Sequence, residues 1–88
     1  MVSKILKFSA EWCSPCQALK KNLKDLDFPI EEIDVDRDTV MVDKYSIMAV
    51  PTLIYLDEDE NILYRSTGLV TKDVVLSKIK ELNEAPGD

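Results

Sequence analysis

The sequence predicts an α/β fold, a four-stranded mixed sheet flanked by three helices in the order β-α-β-α-β-β-α. Three observations carry that prediction. Short runs rich in Ile, Leu, Val and Phe alternate with segments whose apolar residues recur at helical spacing. Two of the runs face each other across the polar stretch DEDEN (57–61), which reads as a hairpin turn. The 88 residues suffice for one small domain with a modest core and leave no room for a second.

Each element follows from its residues. SKILKFS (3–9) is short and rich in Ile, Leu and Phe, and reads as a strand. A helix runs from Ser14 to about Leu26, with Leu19, Leu23 and Leu26 on the inner face and lysines on the outer one. Pro15 is tolerated because it lies in the first turn. Pro29 breaks the chain, and IEEIDV (30–35) forms the second strand. Asp38 is placed to cap a short helix carrying Val40, Met41 and Tyr45. The third strand begins at about Thr52 within VPTLIYL, and NILYRST (61–67) is its hairpin partner. Gly68 ends that strand, and Thr71 caps a last helix whose inner stripe is Val75, Leu76, Ile79 and Leu82. The opening strand–helix–strand is expected to form a right-handed parallel unit, with the hairpin adding an antiparallel edge. Residues 1–83 form the expected domain, and 84–88 a short disordered tail.

Composition excludes several functions. A net charge of −6 without any histidine argues against nucleic acid or an anionic membrane as the partner. No run approaches the roughly 18 apolar residues of a membrane span. The first residues, MVSKILKFSAEW, lack the apolar run and cleavage site of a signal peptide, so a cytoplasmic location is expected.

The chemistry is concentrated in EWCSPCQALK (11–20), which holds both cysteines. A structural zinc needs four Cys or His ligands, and two cysteines without histidine supply them only if two chains share the ion. A structural staple across two residues removes little entropy from the unfolded chain, and a reducing compartment would open it. A redox pair fits the placement. Cys13 lies between a strand and a helix, where unpaired backbone N–H groups and the helix dipole stabilise a thiolate. Cys16 lies one turn deeper on the same side. Cys13 is therefore expected to be exposed and nucleophilic, with Cys16 shielded behind it. A C-x-x-C beside a βαβ pattern is a redox signature, and no metal or organic cofactor is required.

With those residues in view, the chain resembles the thioredoxin family. AEWCSPC (10–16) is similar to that family's A-x-W-C-G-P-C motif, and AVPTLIYL (49–56) to the segment carrying its cis-proline. Gly68 matches a glycine after the family's last strand, and the likeness runs from about Lys4 to Leu82. The resemblance implies Cys13 as nucleophile, Cys16 as resolving cysteine and Pro51 as a cis-proline facing them. It places Trp12, Ser14, Pro15 and Gly68 around the substrate, with the Val50 backbone pairing to a bound substrate strand. Proline at a strand start fits such a role, because cis X–Pro bonds cost little and proline offers no N–H of its own.

Three departures from the family pattern stand out. The family's extra N-terminal strand and helix have no counterpart, which leaves a compact, glutaredoxin-sized chain. Ser14 replaces a glycine. The family's buried aspartate falls at Lys7 and its lysine partner at Glu32, so the charges have traded places. A partly buried Lys7–Glu32 pair under the site is expected, with Glu32 as proton acceptor for Cys16.

The expected function is thiol–disulfide oxidoreduction of partner proteins by a monomer. The resemblance implies regeneration by an NADPH-dependent thioredoxin reductase, and offers ribonucleotide reductase as a candidate substrate. One alternative is a glutaredoxin-like, glutathione-dependent reductase, although that family's C-P-Y-C and double glycine are replaced by CSPC and Gly68 with Asp73. The other is a redox-inactive binding module that keeps only the surface.

Overall fold

A computed structural model describes residues 1–84. Seven elements follow in the expected order: β1 (Lys4–Ser9), α1 (Ser14–Asn22), β2 (Ile30–Asp34), α2 (Thr39–Lys44), β3 (Thr52–Leu56), β4 (Ile62–Thr67) and α3 (Lys72–Asn83). They form one four-stranded sheet ordered β2-β1-β3-β4. β1 pairs parallel to β2 and antiparallel to β3, which pairs antiparallel to β4. Of the expected tail, residues 85–88 lie outside the described residues.

The two inner strands carry the core. β3 is buried throughout and β1 from Ile5 onward, as near-continuous apolar runs covered on both faces should be. On one face Ile5, Leu53 and Tyr55 pack against Leu19 and Leu23 of the α1 segment and Val75 and Ile79 of α3. On the other, Leu6, Phe8, Ile54 and Leu56 pack against Tyr45, with Met41 and Ile47 beside them. Alternation places Lys7 on the first face, between Ile5 and Ser9, opposite Glu32 on β2 and Leu53 on β3.

Each helix start is built as its sequence indicates. Asp38 Oδ1 accepts from the Met41 N–H at 3.1 Å, and Thr71 Oγ1 from the Val74 N–H at 3.4 Å. The hairpin turn is closed by its own first residue. Asp57 Oδ1 accepts the N–H groups of Asp59 and Asn61 at 2.9 Å each, so this carboxylate serves the turn.

Two expectations need correction. The first helix stops at Asn22 instead of continuing to Leu26. Beyond it the bonds tighten to i→i−3, with Lys24 N–H donating to Lys21 C=O and Leu26 N–H to Leu23 C=O. The curled turn keeps Leu23 and Leu26 against the core, so apolar spacing survives after the helix has ended. In α3, Leu76 is 42% exposed and not part of the buried stripe. Val75 and Ile79 centre that stripe, and the next residue round the helix already faces solvent. Strand ends shift by one residue: β1 starts at Lys4, β2 ends at Asp34 and β4 starts at Ile62.

This packing separates two leucines that look alike in sequence. Leu19→Ala, at a fully buried position, should cost about 2–5 kcal/mol. Leu76→Ala should stay within about 0.5 kcal/mol. Urea unfolding of both variants measures the contrast, and equal losses would place Leu76 in the core after all.

Candidate redox site

The site forms where β1 and β2 end and β3 begins. After Ser9 the chain turns, with the Cys13 N–H donating to the Ala10 carbonyl at 3.2 Å. Cys13 then serves as N-cap of α1 in an extended conformation (φ −97°, ψ 107°), and Pro15 falls in the first helical turn. The Cys16 backbone N–H points at Cys13 Sγ at 3.2 Å, so sulfur takes the place of the usual capping oxygen. Cys13 and Cys16 are joined as a disulfide with Cα atoms 5.2 Å apart. Ser14 and Pro15, between them, are exposed.

One expectation fails here. Cys13 is not exposed: it is 4% accessible, and Cys16 3%. The disulfide turns the Cys13 sulfur back over the helix start, and the Val50 carbonyl oxygen lies 3.8 Å away on the other side. Ala10 and Val50 complete the apolar packing around the pair.

The segment before β3 supplies the opposite wall. The Val50–Pro51 peptide bond is cis, and Pro51 is buried. Thr52 Oγ1 donates to the Ala49 carbonyl at 2.7 Å, and the Gly68 N–H to the Pro51 carbonyl at 2.9 Å. Gly68 has φ +102°, where a side chain would strain the backbone although the space around it is open. Trp12 stands at the rim, 69% exposed, with its Nε1–H donating to Asp36 Oδ2 at 2.9 Å. An uncharged cleft of about 290 Å³ runs between Trp12 and Val50, lined also by Val35, Ile47 and Met48.

Asp36 is the site residue that sequence reasoning missed. It stands in an acidic run that reads as solvated turn, yet the parallel register was a signal. Ser9 pairs with Asp34, so the loops leaving β1 and β2 rise side by side and bring Trp12 to Asp36.

Lys7 and Glu32 lie deeper on the face covered by α1. Lys7 Nζ is 3.7 Å from Glu32 Oε1; the Lys7 side chain is 8% accessible and the Glu32 side chain 49%. The other carboxylate oxygen, Oε2, accepts from Ser9 Oγ at 3.0 Å. Among the described residues neither Lys7 nor Glu32 hydrogen-bonds to a cysteine. Beside Glu32 lies a small polar pocket lined by Ser9, Ala10, Gln17 and Lys20, with Glu11 and Asp34 as further carboxylates. Among the described residues no group of three or more Cys, His, Asp or Glu is placed to hold a metal.

Comparison with known proteins agrees with this geometry. The Thioredoxin family model matches residues 2–81. The thioredoxin of Chlamydia trachomatis serovar D is 35% identical over 82 residues, covering 88% of this chain and 79% of that protein. That of Bacillus subtilis strain 168 is 34% identical over 74 residues, covering 77% and 70%. Among solved structures, thioredoxin 1 of Thermosipho africanus superposes with a TM-score of 0.75 at 29% identity, covering 92% of this chain and 94% of its own. A thioredoxin mutant of Halobacterium salinarum gives 0.81 at 28% identity, covering 94% and 76%. These likenesses lend no support to the glutathione-dependent or binding-module alternatives over the dithiol reading. With its disulfide-linked Cys13–Cys16 pair at the head of α1 and its close relatives, the chain belongs to the thioredoxin family and is a thiol–disulfide oxidoreductase.

Proposed function

We propose that the folded unit of residues 1–83 is a monomeric, cytoplasmic reductant of protein disulfides, with Cys13 attacking and Cys16 resolving. The observation that carries this reading is the Cys16 N–H aimed at Cys13 Sγ. A backbone donor at a helix start favours a thiolate over a thiol, and the thiolate is the nucleophile.

The Cys13 thiolate attacks one sulfur of the partner's disulfide, forming a mixed disulfide and expelling the other sulfur as thiolate. The Cys16 thiolate then attacks Cys13 Sγ. That breaks the mixed disulfide, forms the Cys13–Cys16 bond and releases the second partner sulfur, so two electrons pass to the partner. Glu32 is the proton acceptor for Cys16, and Lys7, 3.7 Å from its Oε1, holds that carboxylate in place.

The partner docks as an extended strand along the Val50 backbone next to Pro51, with its side chains in the cleft beside Trp12. Ser14 and Pro15 border that docking strand on one side and Gly68 on the other. The trait supporting a cytoplasmic location is the reduced thiol pool that a dithiol donor needs. Family likeness supports an NADPH-dependent thioredoxin reductase as electron source and ribonucleotide reductase as a substrate. The charge of −6 speaks against nucleic acid as a partner.

A Cys16→Ser variant should accumulate mixed disulfides through Cys13, visible on non-reducing gels, whereas Cys13→Ser should trap none. Absence of ribonucleotide reductase among the trapped proteins would remove that substrate alone. Glu32→Gln should slow the resolving step about a hundredfold near neutral pH and alter its pH–rate profile. An unchanged profile would show that Glu32 takes no proton.

A further inference from the structure

A groove of about 590 Å³ runs between α1 and the edge strand β2. Its floor is apolar, formed by Leu23, Leu26, Phe28 and Ile30. Lys20, Lys21 and Lys24 stand exposed along its rim. The one carboxylate of the lining, Glu32, is already paired with Lys7. Among the described residues Lys4, Lys7, Lys44 and Lys78 form ion pairs, whereas the three rim lysines form none. This run of unpaired cations stands on a chain whose net charge is −6.

The groove leads to the redox site. Gln17 and Lys20 line both it and the polar pocket that reaches Ser9 and Ala10, where Glu11, Glu32 and Asp34 add carboxylates, and Gln17 directly follows Cys16. Across the disulfide, the cleft beside Trp12 carries no charged residue in its lining. A protein docked over Cys13 thus meets an uncharged cleft on one side and, beyond the carboxylates of that pocket, a lysine-rimmed, apolar-floored groove on the other.

We propose that this groove is a second docking surface for the disulfide-bearing partner, and that it selects an acidic segment anchored by large apolar side chains. Carboxylates over Lys20, Lys21 and Lys24 would steer the encounter, and a basic segment would be repelled. The apolar floor calls for Leu- or Phe-sized side chains, since a bare anion would leave it wet. The inference rests on the protein-disulfide reading, and the control below separates failure of one from failure of the other.

The test uses the full chain, reduced beforehand, in single turnover. Two peptides carry the same disulfide loop, followed by an extension alternating leucine with glutamate in one and leucine with lysine in the other. Dithiodipyridine, a small uncharged disulfide, is the control. The acidic peptide should react about tenfold faster than the basic one at low salt. At about 0.5 M salt, where screening acts over a few ångströms, the difference should shrink below about twofold. Lys20→Glu/Lys24→Glu should reverse the preference and Lys20→Gln/Lys24→Gln should abolish it; the milder pair serves if charge reversal impairs folding. Equal peptide rates with normal dithiodipyridine reduction would overturn the docking surface alone. A preference that survives both pairs of substitutions would place the selectivity elsewhere and overturn it too. Failure to reduce dithiodipyridine would sink the dithiol reading and the docking surface with it.

Discussion

One sulfur atom performs two tasks in this molecule. Cys13 Sγ accepts the Cys16 N–H as a helix N-cap would, and the same atom is half of the redox pair. An N-cap reaches the third helical residue, so two intervening residues are what the contact requires. The C-x-x-C spacing and the capping spacing are therefore one constraint. Proline is accepted at the second of those positions because its missing N–H lies among the helix's unpaired donors. The backbone that starts α1 and the chemistry that opens the disulfide cannot be altered independently.

That arrangement works only if its surroundings hold still. β1 is gripped by ladders on both sides, so its end, and hence Cys13, is located by two neighbours. Parallel β2 ends at the same edge and brings Asp36 to Trp12; antiparallel β3 begins there and brings Val50 and Pro51. One consequence of burying β1 on both faces is that Lys7 is buried with it. A buried ammonium without a partner is expensive, and Glu32 in matching register on β2, itself half exposed, relieves that cost while keeping access to water. Among the described residues Lys20, Lys21 and Lys24, on α1 and just beyond it, form no ion pair and rim a groove with an apolar floor, on a chain whose net charge is −6.

Much of this was legible in the sequence, because local rules and tertiary packing agree across most of the chain. Asp38 and Thr71 cap their helices, Pro29 separates α1 from β2, and the acidic hairpin turn lies where its residues indicate. The misses share a physical origin. Leu26 and Leu76 have helical spacing, but spacing alone does not reveal where a helix unwinds or how wide its covered stripe is. Burial of Cys13 depends on Val50, thirty-seven residues away. Asp36 was hidden in an acidic run, and the lysines of α1 looked like an ordinary solvated face until the curled turn and β2 supplied a floor beneath them.

The central claim is that Cys13 and Cys16 form a reversible couple poised to give electrons to protein disulfides. The direct measurement is the reduction potential of the pair, obtained by equilibrating the protein with defined thiol–disulfide buffers and counting free thiols. The expected result is a two-electron couple near about −270 mV, the value typical of thioredoxins. A value near about −200 mV, the range of glutathione-coupled enzymes, would contradict the reductant role. The absence of any reversible Cys13–Cys16 couple would contradict the dithiol chemistry itself.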